Sequence, residues 1–526
     1  MSSLRTPKKK PVGTVAWVGA GPGETGTLTV RGAELLAAAG VVVVDATLPD
    51  ELLRRFCPQA EVVRLEPGGP AATGRQVVAA VRGGPAVVRL LAGDPFLEGA
   101  AAAETEACSR AGISFEVVPG VSTLLGSAAY AGIPLTASRL GSDVAAVPSP
   151  EDPGTDWAGL AAARRTVVLR ATPAEVGKLA RRLIECGRSG DTPVAMTWAA
   201  GGPEQVTLVS TLETVENDAA AAERADAAVV VVGEVVALHE RLSWFESRPL
   251  FGWRVLVPRT REQAGELSDR LRAYGAVPVE VPTIAVEPPR TPAPMERAVR
   301  GLVSGRYQWA AFTSVNAVRA VCERFREVGL DARAFAGVKV AAVGETTAAA
   351  LAEFGIRPDL VPSGEQSSEG LLADWPPYDS LLDPIDRVFL PRADIATETL
   401  VAGLKQRGWA VDDVTAYRTV RAAPPPADIR DAIKSGGFDA AVFTSSSTVR
   451  NLVGIAGKPH AGTVIAVIGP QTARTAADLG LRVDVQAASP STEAVAEALA
   501  ELAAERRSAG ETLRPSLRTA KAKKPR

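Results

Sequence analysis

A duplication inside the second half of the chain limits its folds more than any other feature. Phe312-Thr-Ser-Val-Asn-Ala-Val318 returns as Phe443-Thr-Ser-Ser-Ser-Thr-Val449, at an offset of 131. Gly344-Glu-Thr-Thr-Ala348 returns as Gly469-Pro-Gln-Thr-Ala473 at 125, and Val257-Pro-Arg-Thr260 as Leu390-Pro-Arg-Ala393 at 133. Gly275 followed by Val279-Glu-Val-Pro-Thr283 matches Gly408 followed by Val411-Asp-Asp-Val-Thr415, at 132 to 133. Motifs kept in order at nearly one offset mark two copies of one supersecondary unit. Two related parallel α/β lobes are therefore expected. Glu287-Pro-Pro-Arg-Thr-Pro-Ala-Pro294 and Ala422-Ala-Pro-Pro-Pro426 sit at equivalent places, and stiff extended segments of this kind suit chain crossings. A double interlobe crossing makes residues from about 296 to 420 a continuous lobe and 253–286 plus 428–505 a discontinuous one. The cleft between such lobes is the natural place for a ligand.

The first half alternates β-branched runs with alanine- and leucine-rich stretches. Val15 to Val18, Val41 to Val44, Val87 to Leu90, Phe115 to Val118, Thr166 to Leu169 and Val229 to Val232 are predicted strands. Gly32 to Ala39 and Glu98 to Ala111 have helical period. The alternation predicts α/β units with mostly parallel strands. Glycine loops close three of the strands, at Gly19-Ala-Gly-Pro-Gly23, Gly93-Asp-Pro-Phe96 and Pro119-Gly-Val-Ser-Thr123. They are expected to converge on one sheet edge, where α/β proteins bind ligands. Taken alone, the first loop reads equally as a plain βα turn, since Pro22 interrupts the GxGxxG spacing. An aromatic segment with Trp244, Phe245, Phe251 and Trp253 precedes a fresh strand at Val255 and puts the major boundary near 248. The expected order is a basic disordered tail (1–12), a first module (13–240), a linker (241–252), a second module (253–505) and a basic disordered tail (506–526).

Composition excludes several functions. Of 526 residues, 58 are Lys or Arg and 60 Asp or Glu, so the net charge of −2 leaves no global attraction for nucleic acid. Cys57, Cys108, Cys186 and Cys322 form no CxxC pair, and only His239 and His460 offer imidazoles. A zinc site, a disulfide framework and a Ser-His-Asp triad are all disfavoured, and no metal is expected. The longest uncharged apolar run, Leu35 to Val44, falls short of the roughly 18 residues of a membrane span. Lys8-Lys-Lys10 and Val12 to Val18 imitate the start of a secretory signal, but the run ends in a glycine loop rather than a cleavage site. A cytoplasmic chain with neither membrane nor nucleic-acid partner is expected.

With these motifs placed, the first module resembles the tetrapyrrole methylase family, most closely uroporphyrinogen-III C-methyltransferase. Gly19-Ala-Gly-Pro-Gly23, Gly93-Asp-Pro-Phe96, Val117-Val-Pro-Gly-Val-Ser122, Tyr130-Ala-Gly-Ile-Pro-Leu-Thr136 and Val231-Val-Gly-Glu-Val235 carry the resemblance. It implies a two-lobed fold holding S-adenosyl-L-methionine, with contacts at Pro22, Gly93, Asp94, Leu97, Ser122 and Thr123, and Asp45 as a base near the tetrapyrrole. It also implies a homodimer through this module. Three places depart from the family. Arg64-Leu-Glu-Pro-Gly68 stands where a Gly-Lys-Arg stretch is usual, and Arg170-Ala171-Thr172 where a Tyr-Met-Gly loop is usual. Between Ala200-Gly201-Gly202 and Gln205 the usual spacing is only partly kept.

The second module resembles uroporphyrinogen-III synthase, through Val257-Pro-Arg259, Phe312-Thr-Ser314, Val343-Gly-Glu-Thr-Thr347, Leu390-Pro-Arg392, Val414-Thr-Ala-Tyr-Arg-Thr419, Phe443-Thr-Ser-Ser446 and Ile468-Gly-Pro-Gln-Thr472. In that family hydroxymethylbilane, a linear tetrapyrrole, loses its hydroxyl and closes with inversion of the last ring, ring D. Such a substrate carries many carboxylates and calls for hydrogen-bond donors. Thr313, Ser314, Thr347, Ser445, Ser446 and Thr472 sit at strand-to-helix turns, where hydroxyls and free helix N–H groups are expected to face the cleft. Arg259 and Arg392 are expected to add bidentate carboxylate contacts. The resemblance places Tyr417 in the cleft as a general acid. For each hydroxyl a pure helix-capping role is the competing reading, and for Tyr417 a structural role at the hinge.

A bifunctional tetrapyrrole enzyme on the branch toward sirohaem and cobalamin is the reading these resemblances imply. One alternative is a synthase fused to a degenerate, non-catalytic methylase-like domain. Another treats the twin lobes as a sugar-type binding module.

Overall fold

The structure, a computed structural model, describes residues 14–45, 48–65, 70–81, 86–97, 100–147, 151, 154–259 and 264–510. The expected tail 1–12 and positions 66–68 of the Arg64 to Gly68 stretch lie outside these residues. Of the expected C-terminal tail, residues 506–508 end the helix Thr492–Ser508, and 511–526 lie outside the described residues. By contact density the chain divides into two compact units, one containing the chain up to Val255 and the other 256–268 with 279–495.

The first unit holds two five-stranded sheets. β1 (Val15–Gly19), β2 (Val41–Val44), β3 (Glu61–Arg64), β4 (Val87–Leu91) and β5 (Phe115–Val118) are parallel in the order β3-β2-β4-β1-β5. Every residue of β1, β2 and β4 is buried. That explains their near-continuous apolar runs, since parallel strands covered on both faces need no polar alternation. β1 lies between β4 and β5, so the loops after these strands leave the sheet side by side.

The second sheet, of β6 (Asp143–Val147), β7 (Arg165–Ala171), β8 (Pro193–Trp198), β9 (Val206–Thr211) and β10 (Ala228–Val232), has the order β6-β7-β10-β8-β9. Only β6 and β7 are parallel; β10 runs antiparallel to both β7 and β8, and β8 to β9. The expectation of mostly parallel strands holds for the first sheet and fails here. Strand direction is set by non-local pairing that a run of valines does not encode. Residues 241–252 are no free linker either. Trp244 Nε1 donates to Ala129 O at 2.9 Å, and Phe245 packs against Tyr130 and Phe251 at ring distances of 4.9 and 5.6 Å.

The second half carries two more sheets. β11 (Arg254–Arg259) and β12 (Val277–Pro282) join β18 (Ala440–Phe443), β19 (Val464–Val467) and β20 (Val485–Gln486) in the order β12-β11-β18-β19-β20. β13 (Ile284–Glu287), β14 (Trp309–Phe312), β15 (Lys339–Ala342), β16 (Arg387–Ala393) and β17 (Ala410–Arg421) form the other, β13-β17-β16-β14-β15. The chain leaves the first of these sheets at Thr283, ahead of the proline stretch where the crossing was expected, because β13 already pairs with β17. Thr283 is fully buried, and its N–H and hydroxyl both donate to Arg259 O, at 2.9 and 3.0 Å. After β17, Ala422 N donates to Thr283 O at 3.2 Å. Both passages between the sheets are tied at this one residue.

Candidate active sites

The three glycine loops of the first unit interlock through backbone. A Cβ on Gly19 would lie 2.4 Å from Gly93 O and 2.6 Å from Gly120 Cα, and one on Gly120 would lie 2.3 Å from Gly93 O. Only glycine permits this approach. Gly93 N donates to Gly21 O at 2.9 Å, with both residues at positive φ (66° and 80°). Asp94 fastens the arrangement: Oδ1 accepts from Phe96 N and Leu97 N at 2.9 and 3.0 Å, and Oδ2 from Gly120 N at 3.1 Å. Ser122 caps the helix Thr123–Tyr130, accepting from Leu125 N at 3.4 Å. Pro22 packs beside the same helix, where a Cβ on Gly126 would meet its ring at 3.1 Å. Pro22, Gly93, Asp94, Leu97, Ser122 and Thr123 thus share one sheet edge. The role of Asp94 is nevertheless to hold the loops, with both oxygens engaged by backbone.

A loop of the second sheet reaches the same place. A Cβ on Gly23 would lie 2.9 Å from Ala200 O. Gln205, fully buried, accepts from Gly201 N at 2.9 Å and donates to Tyr130 O and Glu246 Oε1, each at 3.1 Å. Tyr130 Oη donates to Glu24 Oε2 at 2.5 Å. Burial, and then the Glu24 carboxylate, push this phenol well above its ordinary value, so it remains a donor at neutral pH. Where the family has its Tyr-Met-Gly loop, Thr172 N and Oγ1 donate to Glu175 Oε2 at 2.8 and 2.7 Å, opening the helix Pro173–Glu185.

Asp45 closes β2, beside β4. Arg89, buried in the middle of β4, donates to Asp45 Oδ1 at 2.6 Å and to both oxygens of buried Glu104, at 3.0 and 3.1 Å. Trp17 Nε1 also donates to Glu104, at 2.9 Å. Asp45 is therefore a carboxylate held by a guanidinium with its own buried counter-ion. Sequence reasoning missed this network. Its signal is an arginine inside the buried run Val87-Val-Arg-Leu-Leu91, since a buried charge needs a partner.

In the second unit, Ser314 caps the helix Val315–Glu327, its Oγ accepting from Ala317 N at 3.2 Å and lying 3.0 Å from Tyr417 Oη. A register shift puts the tyrosine there. Arg392 pairs with Thr415 and Ala393 with Tyr417, so Ala416 is extra on β17, and a bulge re-aims the side chain that follows it. Tyr417 is 8% exposed. Thr313 is half-buried at the same turn. In the duplicate, Ser445 caps Ser446–Ala456, accepting from Thr448 N at 3.2 Å. Ser446 Oγ donates to Gln471 O at 3.1 Å and accepts from Thr475 Oγ1 at 2.9 Å, linking adjacent helix starts.

Four expectations change. Thr347 and Thr472 are buried in the first turns of Glu345–Glu353 and Pro470–Asp478, at 2% and 4% exposure, so their hydroxyls do not face a cleft; their neighbours Thr346 and Gln471 are the exposed ones. Arg392 is buried, with Nε donating to Asp413 Oδ1 at 2.6 Å and Nη2 to Glu398 Oε1 at 2.7 Å. Arg259 pairs with Glu280 at 3.1 Å. Both arginines carry internal counter-ions where free carboxylate clamps were expected.

Two family models match the chain, Tetrapyrrole (Corrin/Porphyrin) Methylases over residues 14–216 and Uroporphyrinogen-III synthase HemD over 265–497. The porphyrin biosynthesis protein HemD of Ruminiclostridium josui is 31% identical over 484 residues, covering 89% of this chain and 94% of that protein. Siroheme synthase 1 of Serratia proteamaculans is 37% identical over 246 residues, 45% of this chain and 51% of the relative, so the chain spans about half its length. Among solved structures, a uroporphyrin-III-C-methyltransferase from Thermus thermophilus is 31% identical, covers 44% of this chain and 96% of its own, and has a TM-score of 0.38. Matched along nearly its whole length, the chain belongs to the family of the porphyrin biosynthesis protein HemD, with a tetrapyrrole methylase module ahead of a uroporphyrinogen-III synthase module.

Proposed function

We propose that the chain makes and then methylates one tetrapyrrole. Its C-terminal half cyclises hydroxymethylbilane to uroporphyrinogen III with inversion of ring D. Its N-terminal half transfers methyl groups to that product from S-adenosyl-L-methionine. The observation that carries this reading is the match to a porphyrin biosynthesis protein over 89% of the chain, with both modules in one chain.

In the synthase half, Tyr417 Oη donates toward the departing hydroxyl, so that it leaves as water while the pyrrole nitrogen supplies the electron pair. Ser314, 3.0 Å away, holds the phenol in place. General-acid assistance of this kind is worth about 10² to 10⁴ in rate. Helix starts after β14, β15, β18 and β19 offer backbone N–H groups to substrate carboxylates.

In the methylase half, the close backbone packing of Gly19, Gly93 and Gly120 holds the three loops together at the sheet edge where α/β proteins bind ligands. S-adenosyl-L-methionine supplies an electrophilic methyl group when bound. Pro22, Gly93, Leu97, Ser122 and Thr123 orient it, and Asp94 keeps the loops in register. Asp45, fixed by Arg89, acts as the base near the tetrapyrrole. Holding the reacting carbons in line needs no side-chain acid, so the departure from the usual Gly-Lys-Arg stretch at Arg64 to Gly68 is compatible with turnover. The capping of Thr172 by Glu175, where a cofactor loop is usual, favours a second reading in which this half binds the cofactor without transfer. Calorimetric titration of the full chain with S-adenosyl-L-methionine, beside a labelled-methyl assay, decides between them; no binding contradicts both.

A further inference from the structure

Beside Tyr417 lies a cavity of about 250 Å³, whose walls include Asn316, Arg319, Glu323, Arg324 and the Pro288–Pro289 strap. Two arginines are already neutralised, Arg324 in the cavity wall and Arg418 on the neighbouring strand. Arg324 binds Glu296 at 2.6 Å and Glu327 at 2.5 Å, and Arg418, next to Tyr417, binds Glu287 at 2.7 Å. Arg319 differs. It is exposed, on the second turn of the helix that Ser314 caps, and makes no ion pair among the described residues. Glu323, one turn further on, also lines the cavity and lies outside ion-pair range of Arg319.

The duplication repeats the feature. Arg319 follows Phe312-Thr-Ser-Val-Asn-Ala-Val318, and Arg450 follows Phe443-Thr-Ser-Ser-Ser-Thr-Val449, at the same offset of 131. Arg450 is likewise exposed on the helix capped by Ser445 and without an ion pair among the described residues. Meanwhile the strand-end arginines, Arg259 and Arg392, are taken up by Glu280 and by Asp413 with Glu398.

We propose that Arg319, with Arg450 as its counterpart in the duplicated lobe, supplies the side-chain contacts to substrate carboxylates in the synthase half. This rests on the reading of that half as a uroporphyrinogen-III synthase. A guanidinium with no internal partner is free to form a paired, charge-assisted contact with an acetate or propionate group. The position beside Tyr417 makes Arg319 a determinant of where the substrate lies relative to the hydroxyl donor. Glu323 opposes an incoming carboxylate and sharpens the requirement for Arg319.

The test is steady-state kinetics of the full chain with hydroxymethylbilane, scored by formation of the type III isomer. Arg319→Gln is expected to raise KM about tenfold while kcat changes less than about twofold, and the Arg319→Gln, Arg450→Gln pair to raise it about a hundredfold if the two sites act independently. Glu323→Gln is expected to lower KM. Raising salt is expected to weaken the parent more than the double variant. Thermal melting within about 2 °C of the parent shows that these exposed positions leave the fold intact. A KM within twofold of the parent in both arginine variants, or a raised KM in Glu323→Gln, overturns the proposal. A parent that makes no type III product overturns instead the reading on which it rests.

Discussion

Tyr417 Oη lies 3.0 Å from Ser314 Oγ, although 103 residues separate the two in the chain. One hydroxyl caps a helix and the other stands on a strand just after its bulge, so neither can move without disturbing its element. On the proposed reading, a phenol fixed this way needs no rearrangement when substrate arrives, which is the condition under which it can assist a leaving hydroxyl.

Tyr417→Phe is therefore expected to lower kcat for type III formation by about a hundredfold or more. Stability should fall by only about 1 kcal/mol, the usual net worth of one hydrogen bond. Ser314→Ala should cost a similar amount through the lost cap while reducing kcat less, because the phenol remains. Denaturant melts beside isomer-resolved kinetics check both. A Tyr417→Phe rate within twofold of the parent reduces Tyr417 to a packing role.

Arg392 should behave as a structural residue. Arg392→Gln leaves Asp413 without its partner and is expected to destabilise the second unit by about 2 kcal/mol, below the cost for a fully buried pair because Glu398 is exposed. KM should stay within twofold of the parent. A large rise in KM with an unchanged melting temperature would restore Arg392 to the substrate.

These outcomes separate what the sequence could show from what it could not. Valine runs and glycine loops announce the strands β1, β2, β4 and β5 and their shared edge, because burial and close backbone approach select those residues locally. The duplication announces the twin lobes. The antiparallel course of β10 stays hidden, since pairing partners are chosen by packing across the sheet. The bulge at Ala416 is one extra residue within an unbroken strand pattern, with no glycine to mark it. Thr347 and Thr472 carry helix-start chemistry, yet their direction follows from the roll of each helix against its sheet. Arg392 meets Asp413 only because β16 and β17 are neighbours.

In the methylase module, Gly120→Ala places a methyl group against the backbone of Gly93 and Gly19, where no flexible side chain can yield. S-adenosyl-L-methionine affinity is expected to drop at least about tenfold, a modest 1.4 kcal/mol of loop displacement. Asp94→Ala leaves three backbone N–H groups without their acceptor and is expected to cost about 1 to 3 kcal/mol of stability besides weakening binding. Calorimetry of each variant beside the parent checks this. Unchanged affinity in Gly120→Ala would separate this loop junction from cofactor binding.

Alkaline pH gives an independent check on burial. Tyr130 is raised by burial and then by Glu24, and Tyr307 by burial and then by Asp412. The folded chain keeps these protons at a pH where the unfolded chain releases them, about 10. Their stabilisation is complete below that pH and is lost as pH climbs above it. In a spectrophotometric titration of the 5 tyrosines, these two are expected to ionise only together with unfolding. Tyr130→Phe and Tyr307→Phe should each delete one late-titrating group. Titration of all the phenols near 10 in the folded protein contradicts the burial.

The most direct measurement supplies the full chain with hydroxymethylbilane and S-adenosyl-L-methionine labelled in its methyl group, then resolves the oxidised products by isomer and by label. The expected result is type III product formed faster than spontaneous closure allows, with label incorporated into it. Type III product without label would keep the synthase and remove the methyltransferase. Type I product alone, at the spontaneous rate, would contradict the assignment of the second module and with it the central claim that one chain makes and then methylates uroporphyrinogen III.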